Sequence, residues 1–395
     1  MKALFLGSSF FKGLYEPVFH YLEQTGYGPI EVYFAHYKPE AIDEVVRKEY
    51  PSILLHSENG FNDKMNIREL IDYLKSRDIQ VVFNPNIPID ELSDLMRYLR
   101  KELPDVKGID LLHSCTNFVV INKEYQLKEM NWRGVRSIKL AFQYLLPKLY
   151  LYLLQQDVKR RMRLSLKSFD KIITLSPHYV EDYCNLLDLD YSQNQIMAIP
   201  NIATVVEPEI PIPEKLKQIV FVGRLSIEKA VHRLLFIWKQ SMRSIPDWNL
   251  CIVGDGPERK NLETLSIELD LRNVEFVGFQ DALPFIDRSS VLCLVSNFEG
   301  FPTVFTEAMS LGVVPIGFDS FSAIYDMIDH GKNGMIIPSF DYERYADALV
   351  TLATDNQMRI QMAEAAQFKA REYDIPKIAS IWLNLFMDLK LINNI

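Results

Sequence analysis

The stretch SNFEGFPTVFTEAMSLGVVPIGFD, residues 296–319, follows the apolar run VLCLVS, 291–296. A buried strand, a Gly-Phe-Pro turn, a helix from about Thr303 to Gly312 and a second apolar strand make one βαβ unit. The runs are continuously apolar rather than alternating, which predicts parallel strands covered on both faces. Ligands of such sheets lie beyond the carboxyl ends of the strands. Glu299 stands there, and Glu307 follows one turn inside the helix. An ionised carboxylate only accepts hydrogen bonds and suits paired hydroxyls such as a ribose diol, while the helix start offers free N–H groups. Taken alone, each acid reads rather as a first-turn acid balancing the helix dipole or a solvated helix glutamate.

The same rhythm extends outward. QIVFVG (218–223), NLCIVG (249–254) and VEFVG (274–278) precede the opening stretch. ALFLG (3–7), IEVYFA (30–35), SILLH (52–56), IQVVFN (79–84), DLLHS (110–114) and KIITLS (171–176) repeat the pattern nearer the start. Amphipathic segments such as DKMNIRELIDYLKSR (63–77) alternate with them, so two α/β domains are expected in a chain of 395 residues. The proline-rich IPNIATVVEPEIPIPEKLK, 199–217, reads as the linker. After the first strand of the second half, IVFVGRLSIEKAVHRLL (219–235) places Arg224 and Lys229 before a helix. Two cations there suit a diphosphate, though each taken singly reads as a solvated surface charge.

Composition narrows the function. With 48% hydrophobic and 24% charged residues the chain is globular, and its net charge of −9 argues against general nucleic-acid binding. Cys115, Cys184, Cys251 and Cys293 show neither zinc nor disulfide spacing. The start reads as a strand rather than a signal peptide, and the expected location is the reducing cytoplasm. Residues 133–171 break the acidic trend with ten Lys/Arg against Asp157 and Asp170, and they interleave aromatics and leucines. That window is read as a peripheral contact with an anionic membrane, with a core-facing helix as the alternative. Asp188-Leu189-Asp190 resembles a manganese-binding D-x-D but is read as a solvated turn, and His178 as the start of a helix capped by Ser176.

The opening stretch resembles the E-x7-E motif of glycosyltransferase family 4. Glu299, Gly300, Phe301, Glu307, Ala308, Met309, Gly312 and Ile316 match, while VVP (313–315) departs from the usual order. GRLSIEKA (223–230) is similar to the family's G-R-L-x-x-x-K-G segment, with Ala230 in place of glycine. The resemblance implies the α/β GT-B architecture, two Rossmann-like doubly wound domains facing a central cleft. Residues 1–200 would bind the acceptor and 201–374 the nucleotide sugar, with a helix in 375–395 packing back on the first domain.

The resemblance further implies a retaining hexosyltransferase that uses a nucleotide sugar, UDP-linked, and a glycan or lipid-linked acceptor in surface polysaccharide or lipopolysaccharide synthesis. It needs no cofactor and no metal. Arg224 and Lys229 would hold the diphosphate, Glu299 and the backbone of Gly300, Phe301, Pro302 and Thr303 the sugar, and Glu307 the ribose. Gly223 and Phe279 would border the phosphates and base. Gly7, followed by Ser8 and Ser9, would lie near the phosphate, and His113 at a strand end would touch the donor sugar. The rivals are a nucleotide-sugar epimerase or hydrolase and a non-catalytic two-lobed sugar-binding protein.

Overall fold

The computed structural model describes residues 1–7, 11–38, 44–85, 89–129, 146–190, 194–203 and 207–392. Ser8, Ser9 and the part of the basic window from 133 to 145 lie outside the described residues. The chain forms two compact units. One contains 1–116, 152–202 and 375–395, the other 117–151 and 203–374.

The first unit is a parallel sheet of seven strands: β1 (Lys2–Leu6), β2 (Glu31–His36), β3 (Ser52–Leu54), β4 (Val81–Asn84), β5 (Lys107–Leu111), β6 (Lys171–Thr174) and β7 (Ile196–Ala198). Their order is β3-β2-β1-β4-β5-β6-β7. Strand periodicity assigns the two faces: Ala3 and Phe5 point into one core, Leu4 and Leu6 into the other, and all four are fully buried. Phe5 stacks on Phe83 of the neighbouring strand at 4.6 Å between ring centroids. The helix Ile375–Asp388 covers that face, burying Ile378, Trp382, Leu385 and Phe386 and packing on the helix Glu16–Gln24.

The second unit has six parallel strands: β8 (Gln218–Val222), β9 (Asn249–Val253), β10 (Val274–Gly278), β11 (Val291–Leu294), β12 (Val314–Phe318) and β13 (Met335–Ile337). They are ordered β10-β9-β8-β11-β12-β13. In each sheet the strand order reverses once, between β1 and β4 and between β8 and β11, and that reversal opens a crevice at the carboxyl edge. The core of the second unit gathers Phe221, Trp238, Ile252, Ile316 and Tyr345.

Two short strands, β7 and β13, have no counterpart in the sequence-based expectation. Asp188 is the left-handed C-cap of the helix Pro177–Leu187, with φ of 57°. The D-x-D is therefore a helix-ending turn, and His178 at the same helix's start donates its N–H to Ser176 Oγ at 3.1 Å. No helix among the described residues is long and apolar enough to cross a membrane.

Candidate functional site

In the second unit, the loops that leave β8 and β11 meet at the reversal of strand order. After β8 the chain passes Gly223 and the exposed Arg224, buries Leu225, and makes a single 3-10 turn, Ile227–Lys229. Ala230 closes that turn in the left-handed region, with φ of 50°. This explains the glycine of the similar motif: an L-residue with a side chain is strained there by about 1 kcal/mol. The methyl is nonetheless buried.

The glycines after β9 serve this loop. Gly223 N donates to Val253 O at 3.0 Å, and Leu225 N to Asp255 O at 2.9 Å. A Cβ on Gly254 would lie 1.9 Å from the Gly223 carbonyl oxygen, so only glycine lets the two backbones approach.

Asn297, fully buried, stitches the loop after β11 to the 3-10 turn. Its N–H donates to Glu228 O at 2.8 Å and its Nδ2 to Ile227 O at 3.2 Å. Lys229 Nζ then donates to both oxygens of Glu299, at 2.6 and 2.9 Å. Ser296 Oγ donates a third bond to Glu299 Oε1 at 2.6 Å. Glu299 is 8% exposed, and the Lys229 side chain retains 26%. Lys229 is thus not the free cation that its sequence position implied; it is held by the carboxylate assigned to the sugar. Arg224 forms no ion pair among the described residues. Two buried polar atoms beside this junction, Ser226 Oγ and Asn297 Oδ1, have no protein partner among the described residues. Such atoms in a native fold usually meet a ligand or water.

Past Glu299, Phe301 is buried and packs edge-on against Tyr373 at 5.1 Å, so this position has only its backbone to offer a ligand. Gly300 and the buried Pro302 lead into the helix Thr303–Ser310, which starts without a side-chain cap and leaves its first N–H groups available. Glu307 lies on that helix with no side-chain partner among the described residues. Burial, and then the negative charge of Asp281, push its carboxyl above the ordinary range. Phe279, just past β10, is 86% exposed and belongs to no core.

Gly7 and His113 belong to the first unit. Gly7 ends β1 with φ of 100° and donates its N–H to Ala35 O. His113 lies two residues beyond β5, and its Nε2 is 3.1 Å from the hydroxyl of the buried Tyr15. Burial lowers its pKa to about 4, so the ring is neutral at physiological pH. Tyr15 in turn meets Trp382 edge-on. Tyr15, His113, Asn201 and Trp382 line a small cavity of about 10 Å³ in this unit.

Among the described residues no cluster of three or more His, Cys, Asp or Glu has the arrangement of a metal site. At the strand ends of the second unit Arg224 and Lys229 follow β8, and Arg259 lies beside Gly278 at the end of β10, paired with Asp255 and Glu263. Sequence reasoning missed Ser296 and Asn297. Their signal was present, two polar residues closing an otherwise apolar strand.

Residues 205–369 match the family described as glycosyl transferases group 1. An uncharacterized glycosyltransferase of Haemophilus influenzae is 28% identical over 298 residues, which cover 74% of this chain and 78% of that protein. Three further curated relatives match over less than half of this chain, which spans 19% to 50% of their lengths. The apo lipopolysaccharide outer core galactosyltransferase WaaB superimposes with a TM-score of 0.71 at 19% identity, covering 98% of this chain and 99% of that one. Anabaena HepE in complex with UDP gives 0.71 at 15% identity, covering 98% and 100%. The chain therefore has the GT-B fold, its second unit carries the group 1 match, and together these findings support a glycosyltransferase.

Proposed function

We propose that the protein is a retaining hexosyltransferase of family 4 type, which moves a sugar from a UDP-linked donor to a glycan or lipid-linked acceptor in surface polysaccharide or lipopolysaccharide synthesis. The observation that carries this reading is the Lys229–Glu299 pair, which joins the two loops at the reversal of strand order with Arg224 beside it. UDP bound to HepE and the lipopolysaccharide role of WaaB support the donor and pathway class.

On this reading Arg224 forks onto the diphosphate and Lys229 adds a point charge, so negative charge growing on the leaving phosphate meets cations already in place. No metal ion is needed for that neutralisation. Glu299, fixed by Ser296 and Lys229, faces the sugar hydroxyls, and the N–H groups near Thr303 face the donor. Glu307 accepts from the ribose, with Phe279 and Gly223 bordering base and phosphates. The enzyme acts on the cytoplasmic side, where nucleotide sugars are made.

Transfer assays with UDP-sugars and lipid-linked saccharides test this, with the anomeric configuration of the product read by NMR. Arg224→Ala should lower turnover at least about a hundredfold with unchanged thermal stability, since the side chain has no ion pair to lose. Near-normal turnover, or an inverted product, overturns the assignment. Release of UDP at full rate without acceptor would favour a hydrolase or epimerase instead.

A further inference from the structure

The helix Arg259–Glu268 follows the glycine turn after β9, and its first residue is a half-buried arginine. Arg259 Nη1 pairs with Asp255 Oδ2 at 3.0 Å, one turn back, and Nε pairs with Glu263 Oε1 at 2.9 Å, one turn ahead. Ion pairs this exposed add little stability. What sets Arg259 apart is where its guanidinium lies. A Cβ on Gly278, the last residue of β10, would come 2.9 Å from Arg259 Nη1, so the guanidinium fills the side-chain position that glycine leaves open. Its Nη2 lies 3.5 Å from Phe276 O.

The end of β10 needs such a support. Its register against β9 shifts between Phe276 and Gly278, and Gly278 leaves the strand with φ of 79°, where glycine keeps most freedom. Phe279 comes next, with its ring outside every core. The bond from Gly254 N to Gly278 O, 2.8 Å long, fixes one point of this exit, and the guanidinium fixes a second. Asp255, the partner of Arg259, also accepts from Leu225 N at 2.9 Å through its carbonyl. The same clamp therefore reaches the loop that carries Arg224.

We propose that Arg259 is a positioning residue for donor binding: it sets the direction in which Phe279 presents its ring to the nucleobase, without touching the donor itself. This role rests on the donor reading of the same loops, in which Phe279 borders the base. It serves the base end of the nucleotide and leaves the diphosphate to Arg224 and Lys229. A planar guanidinium suits the task, because the point charge of a lysine would sit between the two acids and leave the space over Gly278 unfilled.

Isothermal titration of the full chain with UDP and with inorganic pyrophosphate tests it. The parent binds both. Arg259→Met should weaken UDP about tenfold, the scale of a lost base–aromatic stack, and leave pyrophosphate unchanged. In transfer assays it should raise the donor KM and spare kcat, because the stack is the same in ground and transition states. Arg259→Lys, which keeps a cation between the acids and guards against a folding defect, should lose less. Phe279→Ala should weaken UDP as much as Arg259→Met, and the double variant no more than either, because both changes remove one interaction. Unchanged UDP affinity in Arg259→Met, equal weakening of UDP and pyrophosphate, or additive losses in the double variant overturn the proposal. A parent that binds neither ligand overturns the donor reading itself, and the proposal with it.

Discussion

Replacing Glu299 by glutamine separates two jobs that the ion pair combines. The amide oxygen of the Glu299→Gln variant can still accept from Ser296, but the side chain no longer carries the charge that holds Lys229. The stability cost is modest, on the order of 1–2 kcal/mol, because Lys229 is partly exposed and turns to water instead of being stranded. The effect on nucleotide binding has the opposite sign. Lys229 Nζ is 2.6 Å from Glu299, and a bound phosphate oxygen would sit about 3 Å from the same Nζ. The carboxylate and the diphosphate are then about 6 Å apart, and at an effective dielectric of about 35 their repulsion is ~1.5 kcal/mol. Removing it should tighten UDP about tenfold, while transfer from the UDP-sugar falls at least about a hundredfold as the sugar loses its carboxylate. Isothermal titration with UDP alone, on the parent, Glu299→Gln, Lys229→Met and the double variant, gives the cycle. If UDP affinity is unchanged in Glu299→Gln and in Lys229→Met, the pair is structural and the assignment of this loop to the diphosphate is refuted.

Three further perturbations bear on the same loops and on the first sheet. Ala230→Gly should stabilise the protein by about 0.5–1 kcal/mol in denaturant titrations, because φ of 50° suits glycine; a clear loss would mean that the buried methyl outweighs the strain. Gly254→Ala should cost about 2–3 kcal/mol and weaken UDP, since the new Cβ displaces the Gly223 carbonyl beside Arg224; an unchanged melting curve would contradict that contact. Asp110, buried on β5 and hydrogen-bonded by Asn84 and Ser165, has its pKa raised by burial from 3.8 to about 6. Between those values the folded state binds more protons than the unfolded one, so this group lowers stability as pH rises, by roughly 3 kcal/mol in all. Asp110→Asn should therefore be more stable than the parent near neutral pH and gain nothing near pH 4, and equal gains at both pH values would refute the assignment.

The long strands and their helices were legible because each strand is a run of apolar residues bounded by polar or glycine positions. β7 and β13, three residues each, were not, although the equally short β3 was marked by the apolar run SILLH. The loop chemistry was half legible. Arg224, Lys229, Glu299 and Glu307 could be picked out by residue type at strand ends. That Lys229 and Glu299 grip each other across 70 residues of sequence depends on β8 and β11 being neighbours, which no local pattern encodes. The glycines after β9 carry no local signal of their role, and only the carbonyl of Gly223 passing over Gly254 gives the reason for Gly254. The basic window looked uniform in sequence, yet Asp90, far away in the chain, neutralises part of it.

The helix Ile375–Asp388 has a consequence for how the protein is made. Its tryptophan and phenylalanine fill the core of the first sheet, whereas the second sheet is complete by Asp374. During synthesis the second unit can close while the first, although begun earlier, still exposes an apolar face that nothing yet made will cover. Chaperone demand should thus fall on the older half of the nascent chain. A stop codon or fusion scar near residue 380 would damage the sheet that starts at Lys2 and spare the one that starts at Gln218.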